Sequence, residues 1–269
     1  MEGIGLRQGT GSVSLNYSRH HTEGGKIVNK LGLMLRGLLL FFIFHVPGGQ
    51  QVCAQSNILN SPSTDVVNRG SIYAEFDLIS HLESHQDGGF QSYVTRMIFG
   101  LGRGTEAGIN LAITDPGGPD TPIEIQPNAK WQFFNNERRG VAVVIGGILY
   151  LPVNHHAGHA GADSFAMTYT TCSKKFKAAY GPRFTGGAYR LIGRDGAGAH
   201  HGVMIGYEQP LHSKVSLVAD WFSGHNRFGY VGGGLIVSLP KNNVLQIGYS
   251  IGNQGRKNNA LTVFYGITF

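Results

Sequence analysis

Among the residues equipped for chemistry, histidine stands out. The 269-residue chain carries 12, nine of them after residue 54. Three of the nine fall within five positions, His155-His156-Ala157-Gly158-His159. Neutral imidazole is a good ligand for zinc or copper, so His155, His156 and His159 form a candidate metal site. A solvated loop of small and polar residues has the same composition, and this spacing fixes no ligand geometry. Ser223-Gly224-His225 and Asp163-Ser164 supply the residue types of nucleophilic catalysis. The sequence has no Gly-x-Ser-x-Gly turn. Gly100-Leu101-Gly102-Arg103-Gly104 lacks the following helix that a phosphate-binding loop needs. The expectation is a chain that is not an enzyme and uses no cofactor.

A second group of polar side chains recurs at alternate positions. Glu75 and Asp77, then Glu106 and Asn110, then Glu124, Gln126, Lys130 and Gln132 each face apolar neighbours one residue away. With Arg96, Arg190 and Asp220 they form a set of both signs that can line a pore and set its solute selectivity. Such positions require strands, because side chains alternate between two faces only in extended chain. The composition agrees: charged residues make up 14%, against a usual figure of about 25%. The 41 glycines and the β-branched and aromatic residues dominate after residue 70, which argues for an all-β protein.

Twelve segments of about ten residues carry this alternation: 71–82, 90–101, 106–114, 123–134, 139–151, 164–172, 177–192, 201–209, 214–222, 229–239, 244–252 and 261–269. The fourth is the clearest. Its odd positions are Ile123, Ile125, Pro127, Ala129, Trp131 and Phe133, and a slip of one residue puts both Glu124 and Lys130 on the apolar face. Residues 139–151 are apolar on both faces, so a plug or a partner is expected to cover one of them. Outward faces of a soluble β-sandwich carry Lys and Glu, whereas here one face of most strands is apolar and aromatic. The predicted fold is a closed antiparallel transmembrane β-barrel of about twelve strands over residues 71–269.

Ahead of it, Lys26, Lys30 and Arg36 precede an apolar run over 38–46, broken by Pro47-Gly48-Gly49 before Val52-Cys53-Ala54. This reads as a signal peptide over 34–54 that starts at Met34. Residues 1–25 fit neither signal nor barrel, and with the true start at Met34 residues 1–33 read as an N-terminal extension upstream of it. Residues 55–70 read as a polar periplasmic linker. Removing residues 1–54 takes away five Lys/Arg and two Asp/Glu, and the remaining 17 and 14 give a formal charge of +3. The basic balance is therefore no argument for nucleic acid, and no Lys/Arg block or RNA-binding motif supports one. Cys172 is then the one cysteine left, so no internal disulfide is expected.

With both barrel ends periplasmic, alternate connections should be short turns and the others longer external loops, and the predicted segments sort approximately that way. Leu261, Val263, Tyr265, Ile267 and Phe269 share one face of the last strand. Phe269 there resembles the assembly signal of Gram-negative outer-membrane barrels. That resemblance implies the barrel-assembly machinery and outer-membrane lipid as partners. Gly206-Tyr207-Glu208-Gln209-Pro210-Leu211, Leu217-Val218-Ala219-Asp220-Trp221-Phe222-Ser223-Gly224 and Gly248-Tyr249-Ser250-Ile251-Gly252-Asn253 resemble repeats of barrels grouped with phenol-degradation (MetA-pathway) transporters. This second resemblance implies uptake of small organic molecules. Twelve strands enclose a lumen between the filled interior of eight and the aqueous channel of sixteen. The leading expectation is a porin-like channel for small solutes. The alternatives are a non-conducting structural or adhesive barrel acting through its external loops and, behind it, a rim enzyme.

Overall fold

The computed structural model describes residues 57–118, 121–154, 164–193, 198–255 and 259–269. The proposed extension, the signal peptide and residues 55–56 lie outside the described residues. Twelve strands follow in order: β1 (Ile72–His81), β2 (Phe90–Gly102), β3 (Thr105–Asp115), β4 (Ile123–Asn136), β5 (Val141–Pro152), β6 (Phe165–Lys175), β7 (Arg183–Gly193), β8 (His201–His212), β9 (Val215–Phe222), β10 (Tyr230–Leu239), β11 (Asn243–Gly252) and β12 (Ala260–Thr268). Each pairs antiparallel with its neighbours, and β1 closes the sheet against β12. Closure leaves no open edge, which is what a sheet needs where no water can satisfy its backbone groups.

Alternation along each strand separates two environments. On β1 the odd residues Tyr73, Glu75 and Asp77 are buried, and the neighbours Ala74, Phe76 and Leu78 are more open. On β4 the even residues Glu124, Gln126 and Lys130 are buried. Large apolar side chains stand exposed around the outside, among them Leu111, Ile145, Leu217, Leu235, Ile247 and Ile251. An apolar exterior around a charged interior inverts a soluble protein and suits a bilayer. This is the outer-membrane barrel architecture expected from the sequence.

Connections are shorter on average at one end than at the other, with 176–182 the exception, as long as most of those opposite. One end carries 103–104, 137–140, 176–182, 213–214 and 240–242, and the other carries 82–89, 116–122, 153–164, 194–200, 223–229 and 253–259. At the short-turn end Arg103 and Gly104 form a two-residue connection with φ of 54° and 73°, the left-handed geometry whose twist matches paired strands. Exposed aromatic residues gather near this end: Phe99, Trp131, Phe133, Phe184 and Phe269. Such rings sit well at a membrane–water boundary.

The strands differ from expectation mainly at β7, which starts at Arg183 rather than near residue 177. Phe176 N–H donates to the Pro182 carbonyl (2.9 Å), making 176–182 a turn. Proline lacks the N–H that a strand interior uses, so the chain turns up to it and extends after it. Phe269 exchanges backbone hydrogen bonds with Ile72, at 2.8 and 3.1 Å. Deleting Phe269 is expected to lower the yield of assembled barrel in cells several-fold while changing the unfolding midpoint of refolded protein little. Heat-modifiability on gels and denaturant melts check the two halves of that expectation.

Candidate functional site in the barrel interior

The inner wall is chemically divided. On β1 to β4 it is charged and amide-rich. Glu75 and Arg96 are direct cross-strand partners, and the guanidinium bridges Glu75 (3.3 Å) and Asp77 (2.7 Å). Tyr73 donates its hydroxyl to Glu75. Glu106 and Lys130 face each other across β3 and β4 and form a buried ion pair at 3.0 Å. Above them Asn110 donates to Gln126 (3.0 Å), Gln126 to Glu124 (2.7 Å) and Asn128 to Asn110 (3.1 Å). Buried polar groups need such partners because an unsatisfied one carries its full desolvation cost.

On β5 to β9 much of the inner wall is apolar and aromatic instead. Val144, Tyr150, Phe165, Met167, Tyr169, Tyr189, Leu191, Met204 and Phe222 make one buried cluster. This is the cover for β5, the strand that is apolar on both faces. The connection 223–229 folds inward onto it. Asn226 is buried and donates to the Tyr189 hydroxyl (2.8 Å) and the Ala199 carbonyl (2.7 Å). Beside it Phe228 packs on the cluster, and Tyr150 and Phe165 stack with centroids 4.4 Å apart. Arg227 lies over the Tyr150, Phe165 and Phe228 rings at 4.9–5.3 Å. Its guanidinium also pairs with Glu124 (3.1 Å), joining the aromatic wall to the charged one.

Residues 57–67 run through the interior, although composition alone reads them as part of a periplasmic linker. Residues 58–61 form a tight turn in which Ile58 N–H donates to the Ser61 carbonyl (2.8 Å), flanked by a bridge between Asn57 and Pro62. The Asp220 Oδ2 atom on β9 accepts the N–H groups of Leu59 (3.3 Å), Asn60 (2.6 Å) and Ser61 (2.5 Å). Further ties reach around the wall. Asn60 donates to Ser250 on β11 (3.0 Å), Gln132 on β4 to the Thr64 carbonyl (2.7 Å), and Val67 N–H to Glu106 on β3 (2.7 Å). Thr64 and Ser173 on β6 share a hydroxyl contact at 2.6 Å. Arg183 binds Asp65 (2.7 Å) and Glu208 together. A segment that reaches six strands of a closed barrel lies within it. Below the turn, Val67 joins Tyr73, Ile98 and Val244 in a second apolar cluster toward the short-turn end.

Of the polar residues singled out from the sequence, Glu75, Asp77, Arg96, Glu106, Asn110, Glu124, Gln126, Lys130, Gln132 and Asp220 all face this interior. They are engaged with one another or with residues 57–67. Arg190 does not belong with them. On β7 the buried residues are Thr185, Tyr189 and Leu191, so Arg190 points outward and is exposed. It stands near the end of β7 with the long connections, where a long side chain reaches water while its stem lies along apolar surface. His155, His156 and His159 lie outside the described residues. Among the described residues no group of three or more His, Cys, Asp or Glu is placed to hold a metal ion. His81 contacts the Asn259 carbonyl through Nδ1, and Ser223 Oγ accepts from Val203 N–H (2.7 Å).

Sequence reasoning missed the internal segment and Arg227. The segment did leave a signal. Ile58-Leu59 is an apolar pair inside a polar stretch, and Gly206, Gly232 and Gly248 interrupt the inward faces of β8, β10 and β11 with residues that fill no space. Arg227 left none, because a loop arginine reads as solvated.

No family model matches the sequence, and no curated protein matches it. Solved structures match by fold. The KdgM porin, solved in complex with disordered oligogalacturonate, superposes with a TM-score of 0.53 at 9% identity, over 74% of this chain and 99% of that one. Outer membrane phospholipase A from Escherichia coli gives 0.42 at 13% identity, over 74% and 92%. The translocator domain of autotransporter NalP from Neisseria meningitidis gives 0.37 at 11%, over 74% and 87%. At such identities the likeness to the KdgM porin speaks to fold alone, and that fold is the closed antiparallel barrel of the outer membrane.

Proposed function

We propose that this chain is an outer-membrane channel for small solutes, not an enzyme, and that small amphipathic organic molecules are the class its interior suits best. The divided lumen carries the reading. Once the inward connection 223–229, which seats Phe228 and Arg227 on these groups, moves aside, a solute with an apolar face and a hydrogen-bonding face finds the cluster of Tyr150, Phe165 and Phe222 on one side and the amide and carboxylate groups of Glu124, Gln126 and Asn110 on the other. A sugar finds only the second. Aromatic rings stack on planar apolar groups with geometric preference, which favours ring-bearing solutes.

Uptake into liposomes carrying the refolded barrel tests this. A hydroxylated aromatic compound should enter several-fold faster than a sugar of similar mass, and Tyr150→Ala should erase most of that difference. Equal entry of both solutes, unchanged by the substitution, removes the proposed solute class. The second reading, a non-conducting scaffold, is favoured by the charge pairs that span the interior and by residues 57–67 inside it. It predicts no conductance from a folded barrel in a planar bilayer.

A further inference from the structure

We infer that residues 57–67 are a releasable plug, and that Asp220, Ser250 and three glycine sockets form the inner surface that holds it. The inference rests on the channel reading and adds its regulation.

Three observations carry it. First, the segment is not part of the wall. All twelve strand pairings are between barrel strands, and β1 meets both β2 and β12 without it. Its release breaks no rung of the closed ladder. Second, the wall is shaped to receive it. A Cβ at Gly232 comes within 2.5 Å of Leu59 Cδ2, one at Gly248 within 2.6 Å of Leu59 Cδ1, and one at Gly206 overlaps Ile58 Cδ1. Real Cβ atoms do not approach so closely, so the terminal methyls of Ile58 and Leu59 occupy space that a side chain at these three positions would otherwise take, and a Cβ there would have to push them aside. Third, the grip at the tip is chemical. One carboxylate oxygen accepts three successive backbone N–H groups, an arrangement stronger than neutral hydrogen bonds because the acceptor is charged.

The direction of release follows from the chain path. Residues 68–70 leave beside Gly100 and Gly102 at the short-turn end, so the segment withdraws toward that end and stays tethered to β1. Withdrawal uncovers Asp220 and the sockets, giving a passing solute a carboxylate acceptor beside small apolar pockets.

The test is single-channel conductance of the full chain refolded in a planar bilayer. In a background with Cys53→Ser and Cys172→Ser, Thr64→Cys with Ser173→Cys places two thiols where hydroxyls now stand 2.6 Å apart, near enough for a disulfide. The oxidised protein should be silent, and reduction should restore the parent's openings. Asp220→Ala, which releases the grip, should raise open probability roughly tenfold, as expected for loss of a charged hydrogen-bond site, and Gly206→Val, which fills a socket, should raise it as well. Deleting residues 57–67 should leave the pore open throughout. Equal conductance from the parent, the oxidised pair and the deletion overturns the plug while leaving the channel intact. Silence from all of them, with every variant heat-modifiable, overturns the channel reading and the plug with it.

Discussion

Replacing Lys130 with methionine will destabilise the folded barrel by about 3–5 kcal/mol, the usual cost of removing one partner from a buried ion pair. Lys130 and Glu106 are both buried and stand 3.0 Å apart. Methionine nearly preserves the volume, so packing changes little and the loss reports the charge. Glu106 keeps the N–H of Val67 at 2.7 Å but loses the cation that balances it. A second change tests this account. Glu106→Gln in the Lys130→Met background retains an acceptor for Val67 and removes the uncompensated charge, so most of the stability should return. Denaturant unfolding of the three variants in lipid checks it. A loss under about 1 kcal/mol in the single variant would place the pair in a water-filled passage, where ion pairs are worth little.

Placing a charge on the outer face should cost nearly as much, in a depth-dependent way. Ile247 is exposed at mid-strand in β11, opposite Leu235 and Val263. Ile247→Arg should cost about 2–4 kcal/mol, whereas Leu101→Arg should cost about 0–1 kcal/mol, the figures for arginine at the bilayer midplane and near its boundary. Leu101 is the penultimate residue of β2, beside the short turn. Unfolding from vesicles, followed by the fluorescence of Trp131 and Trp221, measures both. Equal losses would mean that the apolar exterior does not follow membrane depth.

The fold was legible because two solvents impose one period. Along β4, Glu124, Gln126 and Lys130 alternate with Ile125, Pro127 and Ala129, and a register error there buries charge in hydrocarbon. Where that penalty is weak, the reading failed. On β7, Gly186 and Gly187 carry no side chain to orient, and Phe184 and Tyr189 place aromatic rings on opposite faces, so Arg190 was assigned inward. The interior was legible as a list of residues but not as an arrangement. Nothing local ties Asp220 to Leu59, Asn60 and Ser61 some 160 positions earlier, or Arg227 to Glu124. Such contacts are created by closure, and a strand pattern holds no information about what closure encloses.

The seam between β1 and β12 also sets how the chain must fold. Tyr73 meets Thr268 and Ser80 meets Leu261, so this pairing joins the first and last strands of the barrel. Loop-closure entropy makes so distant a pairing slow relative to the hairpins around it. Until it forms, the growing sheet has two unpaired edges, at β1 and at its newest strand, each a template for another copy of itself. A lifetime spent half-zipped is therefore the chain's exposure to aggregation, and it ends only when β12 pairs along β1.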